Sequence, residues 1–578
     1  MAPSLEEGQD PTVSGNNGPE EANGPIPDPF MRYGKPLPDN WIPLYQKPLR
    51  TPTRKLKVVT VGGGMSAMGL AWKIHHDHKL DDIMDHTIYE ANEDIGGTWL
   101  VNTYPGVAWE PNPDWSAYYA SGSEIQAYFR RTVAKYNLDR DVKCGHRVEQ
   151  AVFDADRGQW DLKVKPPFYR STFTLLSRHR QVRHKDTVLS DSCDVLISAT
   201  GFLSHWRWPS IPGLHSFKGH LAHSAAWDRG YDYSKKRIGV IGNGSSAIQI
   251  VPQLIENAAH LTNFVRHPTW ITPGLGSDVI DGKINYVYSE EEKRVFREDP
   301  EALKAYRKKI QRGSNVAFAM FAKGSEAQEK ARKHTSQMML ERLGGWLPSR
   351  DPGPGYLESF TRSNVSLVTD SITQIEPEGI RTADGVLHEL DAIVCATGFD
   401  VSHRPPWPLI GRHGVPLAEA WEEEPMSYLS LAASGFPNYF MFAGPNSPVG
   451  HGSLMPQLQW SADWMLQWVR KMAEEDIKWI DPKQEVVDDF NTYGDEIMQT
   501  LVWSGDVAPG PYKNHRIDGK VTAVWAGSAI SYYEMIERIR PEDFEIVYRS
   551  KNRFRFLGNG KTKREYMPGA DLAFYVYK

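Results

Sequence analysis

The sequence predicts an α/β fold of two interleaved Rossmann-type dinucleotide-binding domains with a helical insert. Short apolar strand runs lead twice into a glycine turn and an amphipathic helix. The first is Leu56–Val61 with Gly62-Gly-Gly64-Met-Ser-Ala67, and the second is Ile238–Ile241 with Gly242-Asn243-Gly244-Ser245-Ser246-Ala247. The tetrapeptide Ala-Thr-Gly-Phe also occurs twice, at Ala199–Phe202 and Ala396–Phe399, each time closing an apolar run. A chain that leaves one domain near Gly201 and re-enters it near Gly398 accounts for that repeat.

Composition sets the outer bounds. A chain of 578 residues is too long for one ordinary core, so two or three domains are expected. Lys and Arg total 66 against 72 Asp and Glu, a net charge of −6 with both signs interspersed. Such a balance gives no basic footprint for nucleic acid or an anionic membrane. Cys144, Cys193 and Cys395 are scattered without metal-ligand spacing, and Cys193 and Cys395 abut apolar strand runs. That usage fits a reducing, cytoplasmic compartment. No apolar run approaches the length of a membrane span, and the N-terminus lacks the basic-then-apolar pattern of a signal peptide.

Residues 1–53 are rich in Pro, Gly, Asn and Glu and read as a disordered tail with a short arm. The first domain opens at 54 and runs to 201. Ala67, Leu70, Ala71 and Ile74 fall at i, i+3, i+4 and i+7, so the helix after the first turn can press one face on a sheet. The next strand, Thr87–Glu90, ends in a carboxylate. Gly62 permits the tight turn, Gly64 lets backbone amides approach a pyrophosphate, Ala67 packs closely, and Glu90 accepts from a ribose diol.

The second unit occupies 202–270 and 346–394 around a helical insert at 271–345, where charges alternate at helical spacing. Ile248, Val251 and Ile255 give its first helix an apolar face, with Gln249 in the first turns. Its second strand runs to Arg266-His267, a guanidinium where an NAD site offers an acid. A planar fork of fixed charge suits a 2′-phosphate, so NADPH is expected there rather than NADH. Residues 395–578 return to the first domain, with an amphipathic helix over Met455–Met472.

Between the two glycine turns lies Phe217-Lys-Gly219-His-Leu-Ala-His223-Ser-Ala-Ala-Trp227-Asp228. This FxGxxxHxxxW-Asp stretch, placed just before a dinucleotide fingerprint, resembles the signature of the Baeyer-Villiger monooxygenases. Those class B flavoenzymes use FAD, NADPH and O2. The likeness continues through Gly96-Gly97-Thr98-Trp99 and Asn102-Thr-Tyr104-Pro-Gly106, and through Phe440-Met-Phe-Ala443-Gly444-Pro445-Asn446.

The resemblance implies that FAD occupies the first site, with Gly97, Thr98, Trp99 and Tyr104 near the flavin and Val148 near the adenine end. It implies hydride transfer from NADPH and insertion of one oxygen atom beside the carbonyl of a ketone. A bulky apolar ketone of secondary metabolism, such as a polyketide, terpenoid or steroid, is the implied substrate. His223 and Trp227 are implied to act by moving the connection between domains.

Counting back from Tyr356, the family's flavin-side arginine falls on Ser349, and Arg350 stands one place later as the candidate. The chain also departs from the family at Tyr104-Pro-Gly106-Val-Ala-Trp109-Glu110, where an expected acid is missing and Glu110 stands nearest, and again before Tyr512-Lys-Asn514. These departures leave two further readings open. One is a related flavin monooxygenase oxidising S, N or C–H centres, and the other is an impaired flavoprotein that only binds nucleotides.

Overall fold

The computed structural model describes residues 31–33, 35–98, 112–167, 188–228, 230–272, 285–343, 355–450, 452–505 and 519–576. Its first unit begins with β1 (Leu56–Val61), whose Val58 and Val59 point to opposite faces and are both fully buried. Coverage on both faces explains why the strand reads as an unbroken apolar run rather than an alternating one. α1 (Met65–Trp72) follows, prolonged by a π-turn over Lys73–Asp77. Ala67, Leu70, Ala71 and Ile74 are all buried in one apolar cluster with Val58, Ile88 and Val195. Burial of a Leu or Ile side chain there stabilises the fold by about 1.5–3 kcal/mol. β2 (Met84–Tyr89) pairs in parallel with β1 along its whole length.

α2 (Gly122–Tyr136) is capped by the Ser121 hydroxyl, which accepts from the Glu124 N–H, and stops at Asn137 in the left-handed conformation. The short β3 (Val142–Lys143) joins the edge beside β2. An antiparallel meander of β4 (Arg147–Asp154), β5 (Gln159–Lys165) and β6 (Leu189–Cys193) then leads into β7 (Val195–Ser198), which inserts parallel to β1.

The second sheet takes β8 (His220–His223), β9 (Arg237–Ile241), β10 (His260–Phe264), β11 (Val365–Val368) and β12 (Ala392–Cys395), all parallel, in the spatial order β8-β12-β9-β10-β11. α3 (Ser245–Ile255) connects β9 to β10 and buries Ala247, Val251 and Ile255. The insert is helical as the charge pattern predicts: α4 (Glu290–Glu298), α5 (Pro300–Val316) and α6 (Glu326–Leu343). α4 buries no residue and carries Arg294 paired with Glu291 and Glu298 on a solvated face, where water screens such pairs.

Past the second Ala-Thr-Gly-Phe the chain returns to the first sheet, where β13 (Tyr439–Met441) lies parallel to β7 and completes the order β13-β7-β1-β2-β3. α7 (Leu454–Glu475) packs Trp464, Met465, Trp468 and Met472 into the same cluster as α1. The arm before β1 is tied to the C-terminal segment by Leu49 N–H to Lys561 O and Arg50 N–H to Phe556 O. Cys193 and Cys395 are buried at strand ends and, with Cys144, carry free thiols. Among the described residues no helix is long and apolar enough to cross a membrane.

The repeated tetrapeptide has one structural meaning. Ala199 N–H donates to Val61 O and Ala396 N–H donates to Ile241 O, so each repeat extends the strand beside a glycine turn. A Cβ on Gly62 would lie 2.5 Å from Ala199 O, and one on Gly242 would lie 2.5 Å from Ala396 O. Two local sequence features, the first glycine and the repeat, are therefore two sides of the same contact.

Candidate functional site

The first turn joins a tight glycine bend to an uncapped helix start with a carboxylate across from it. Gly62 has φ +107° and donates its N–H to Tyr89 O, which holds the turn against the end of β2. Gly64 stands in extended conformation at the head of α1, and no side chain caps that end. The free amides at a helix start carry a partial positive charge that favours an anion.

Glu90 is 4 % exposed, and its Oε2 accepts from Gly63 N–H at 2.6 Å while its Oε1 accepts from the backbone and side-chain amides of Asn92. The carboxylate is thus fixed directly across from the glycine turn. Gly97, itself at φ +54°, approaches so closely that a Cβ there would sit 3.0 Å from Gly64 Cα, and Gly96 N–H donates to Gly63 O. The Gly97-Thr98 loop therefore lies over the fingerprint. Val148 is buried with Val61 and Tyr89, on a strand entered through His146, whose N–H donates to Glu90 O. Trp99, Tyr104 and Arg350 lie outside the described residues.

The second turn repeats this geometry with different surroundings. Gly242 has φ +113° and donates to Phe264 O, and Gly244 heads α3 without a side-chain cap. Nothing lies within 4 Å of a Cβ placed on Gly244, so the approach to these amides is open. Ser245 and Ser246 fill the first turn, Gln249 Nε2 donates back to Ser245 O, and Asn243 Nδ2 donates to His267 O at 2.7 Å. Asn243 thereby ties the glycine turn to the segment carrying Arg266. Because the Tyr89 and Phe264 carbonyls take equivalent bonds, Val265 occupies the place of Glu90 and Arg266 stands one residue further. Arg266 is exposed and pairs with no acid among the described residues, which leaves its fork free for an anion.

Sequence reasoning missed Asn263. Fully buried in β10, it donates to Val240 O and Gly242 O and accepts from the Tyr356 hydroxyl at 2.8 Å. An amide inside the run Leu261-Thr-Asn-Phe264 was the available signal, since a buried amide requires partners.

Between the two turns, His223 ends β8 with no exposed surface. Its Nδ1 accepts from Ala225 N–H, its Nε2 faces Thr397 Oγ1 at 3.4 Å, and its ring stacks on Trp206 at 4.3 Å and 14°. Trp206 belongs to the outgoing crossover and Thr397 to the returning one. The two crossovers also meet directly, through Asp400 N–H to His205 O. Burial pushes the His223 imidazole down to about 4, so it is neutral near pH 7. Trp227 goes elsewhere: a turn closed by Ala226 N–H to His223 O carries it onto Tyr233, where it stacks at 5.1 Å. Of the two residues expected to serve the domain connection, His223 touches both crossovers, whereas Trp227 packs on the second domain's core.

Two glycine turns on parallel sheets, one ending in a fixed carboxylate and one in a free guanidinium, define an oxidoreductase that handles two dinucleotides. The model of the flavin-binding monooxygenase-like family matches residues 113–281. The chain is 40 % identical over 551 residues to the FAD-binding monooxygenase tazF of Aspergillus terreus, covering 90 % of this chain and 95 % of that one. It is 28 % identical to a Baeyer-Villiger monooxygenase of Pseudomonas aeruginosa, covering 83 % and 89 %. Cyclohexanone monooxygenase from Rhodococcus sp. Phi1, solved bound to NADP+, shares the fold with a TM-score of 0.68 at 23 % identity, over 86 % of this chain and 99 % of that one. The chain belongs to the class B flavin-binding monooxygenases.

Proposed function

We propose that this monooxygenase binds FAD at the Gly62 turn and NADPH at the Gly242 turn and carries out Baeyer-Villiger oxygenation of a bulky apolar ketone, giving an ester or lactone. On this reading residues 54–201 and 395–578 form the FAD domain, and 202–270 with 346–394 form the NADPH domain around the 271–345 insert. The observation that carries it is the position of His223, the centre of the Phe217–Asp228 stretch, between the outgoing and returning crossovers.

The residues present fit both groups. Glu90 is aimed across an uncapped helix start in the first site. Open space at Gly244 and a free Arg266 mark the second. FAD, once reduced by NADPH, supplies the oxygen-transfer chemistry. The chain's part is to bind and orient the two nucleotides, to hold His223 neutral, and to let the crossovers shift one domain against the other. Arg350 is proposed as the fixed positive charge near the reacting oxygen.

The test is NADPH oxidation by the FAD-loaded enzyme with and without a panel of cyclic and polycyclic ketones, with products identified by mass spectrometry. Ketone-stimulated turnover to a product one oxygen heavier, lost in Arg350→Ala, supports the proposal. Substrate-independent peroxide release overturns it, and products oxygenated at sulfur or nitrogen establish the related flavin monooxygenase reading instead.

A further inference from the structure

A second cluster of chemically capable side chains lies apart from both glycine turns. His75 sits in the π-turn that ends α1, His86 in the middle of β2, and Asp141 in the turn just before β3. We propose that His75, His86 and Asp141 form a binding site for a divalent transition-metal ion of the Zn2+ type.

The geometry is that of a preformed ligand set. His75 Nε2 lies 2.7 Å from Asp141 Oδ2, His86 Nδ1 lies 3.7 Å from the same oxygen, and the three candidate atoms all fall within 4.8 Å of one another. Ligands held at about 2.0–2.1 Å around a tetrahedral ion stand roughly 3.3 Å apart, between the two observed separations.

Each imidazole is also oriented from behind. His75 Nδ1 meets both Asp81 Oδ1, at 2.7 Å, and the Arg140 guanidinium, and His86 Nε2 bonds to Thr60 Oγ1 at 2.9 Å; the opposite ring nitrogens face the centre, where His75 Nε2 is hydrogen-bonded to Asp141 Oδ2. Outer partners of this kind fix the tautomer and orientation of metal-binding histidines.

An independent observation points to a missing ligand. The His86 side chain has no exposed surface, and its Nδ1 has no hydrogen-bond partner among the described residues. An orphaned buried nitrogen is destabilising, and a metal ion would satisfy it.

The charges nearby permit a dication. Asp81 and Asp141 contribute two negative charges, and Arg140 returns one positive charge, its Nη2 on Asp81 at 2.6 Å and its Nε 3.9 Å from Asp141. Two imidazoles and one carboxylate favour Zn2+ or Co2+ over Mg2+ or Ca2+, which select oxygen ligands. Asp141, with its side chain 20 % exposed, provides the route in. The neighbouring Asp77, His78 and Asp463 do not qualify, because that group has no orphaned buried nitrogen: His78 Nε2 already bonds to Asp463 at 2.9 Å, and the Lys73 ammonium pairs with the same carboxylate at 2.7 Å. A bound ion would staple the end of α1 to β2 and to the turn leading into β3.

The full-length, FAD-loaded chain is stripped with chelator, titrated with Zn2+ and passed through gel filtration for metal analysis, and Co2+ binding is followed by its visible absorption. Wild type is expected to retain a single ion, with Co2+ bands of tetrahedral intensity. Asp141→Asn and His75→Gln are each expected to weaken binding at least tenfold, while Asp463→Asn leaves it unchanged. Arg140→Ala is expected to tighten binding severalfold, a gain that misfolding cannot produce. A wild type that emerges metal-free, or retention equal in wild type and both ligand variants, overturns the proposal.

Discussion

Gly244 and Gly242 share one turn but differ in what surrounds them, so a single methyl at each separates ligand binding from folding. Gly244 has φ −78° and ψ −175°, a conformation open to alanine, and its added Cβ meets nothing within 4 Å. Losing glycine at a helix N-cap costs up to about 1 kcal/mol. Restricting the unfolded chain returns about 0.4–1 kcal/mol. Gly244→Ala is therefore expected to change stability by less than about 0.5 kcal/mol. The same methyl lies where backbone amides must approach a pyrophosphate, so the KM for NADPH is expected to rise at least tenfold, about 1.4 kcal/mol or more.

Gly242→Ala places a side chain at φ +113° with its Cβ 2.5 Å from Ala396 O and 3.2 Å from Ala396 C, both backbone atoms. Left-handed strain of about 1–2 kcal/mol adds to overpacking of about 1–3 kcal/mol, so this variant is expected to lose about 2–5 kcal/mol. Stopped-flow reduction of the flavin at varied NADPH, together with urea unfolding and flavin content, measures both variants. An unchanged KM in Gly244→Ala, or an equal stability loss in the two, would refute the assignment of this turn to the nicotinamide cofactor.

Other expectations follow from the same geometry. Glu90→Gln replaces an acceptor that holds Gly63 and Asn92 amides, and a charged hydrogen bond is worth about 1.5–3 kcal/mol. Flavin retained through gel filtration is expected to fall by about tenfold or more; full retention would remove Glu90 from the ribose. Arg266→Ala removes an exposed, unpaired side chain, so stability should hold while the preference for NADPH over NADH collapses, read as the ratio of the two kcat/KM values. Burial pushes His223 and His403 from 6.5 down to about 4. A histidine whose folded pKa lies below its unfolded one gains a proton on unfolding. Their contribution is thus complete above about pH 7 and is lost as pH falls from 6.5 toward 4, by at most about 1.4 kcal/mol per pH unit for each ring. Urea unfolding near pH 5 and near neutrality checks the slope, which His223→Gln should reduce.

The sequence by itself determined both dinucleotide units, because strand, glycine turn, helix and terminal charge lie consecutively in the chain and each follows from local backbone and side-chain chemistry. The apolar face of α1, the helical insert and the interleaving announced by Ala199 and Ala396 were legible for the same reason. It could not determine what meets across the chain. The family resemblance grouped His223 with Trp227, yet a single turn sends Trp227 to Tyr233, and the fold supplies Trp206 and Thr397 to His223 instead. Asn263 finds Tyr356, and His75 finds His86 and Asp141, only once parallel strands and their crossing helices have brought distant segments together. Local rules fix the turns, whereas burial and the pairing of polar groups within a shared interior decide their long-range partners.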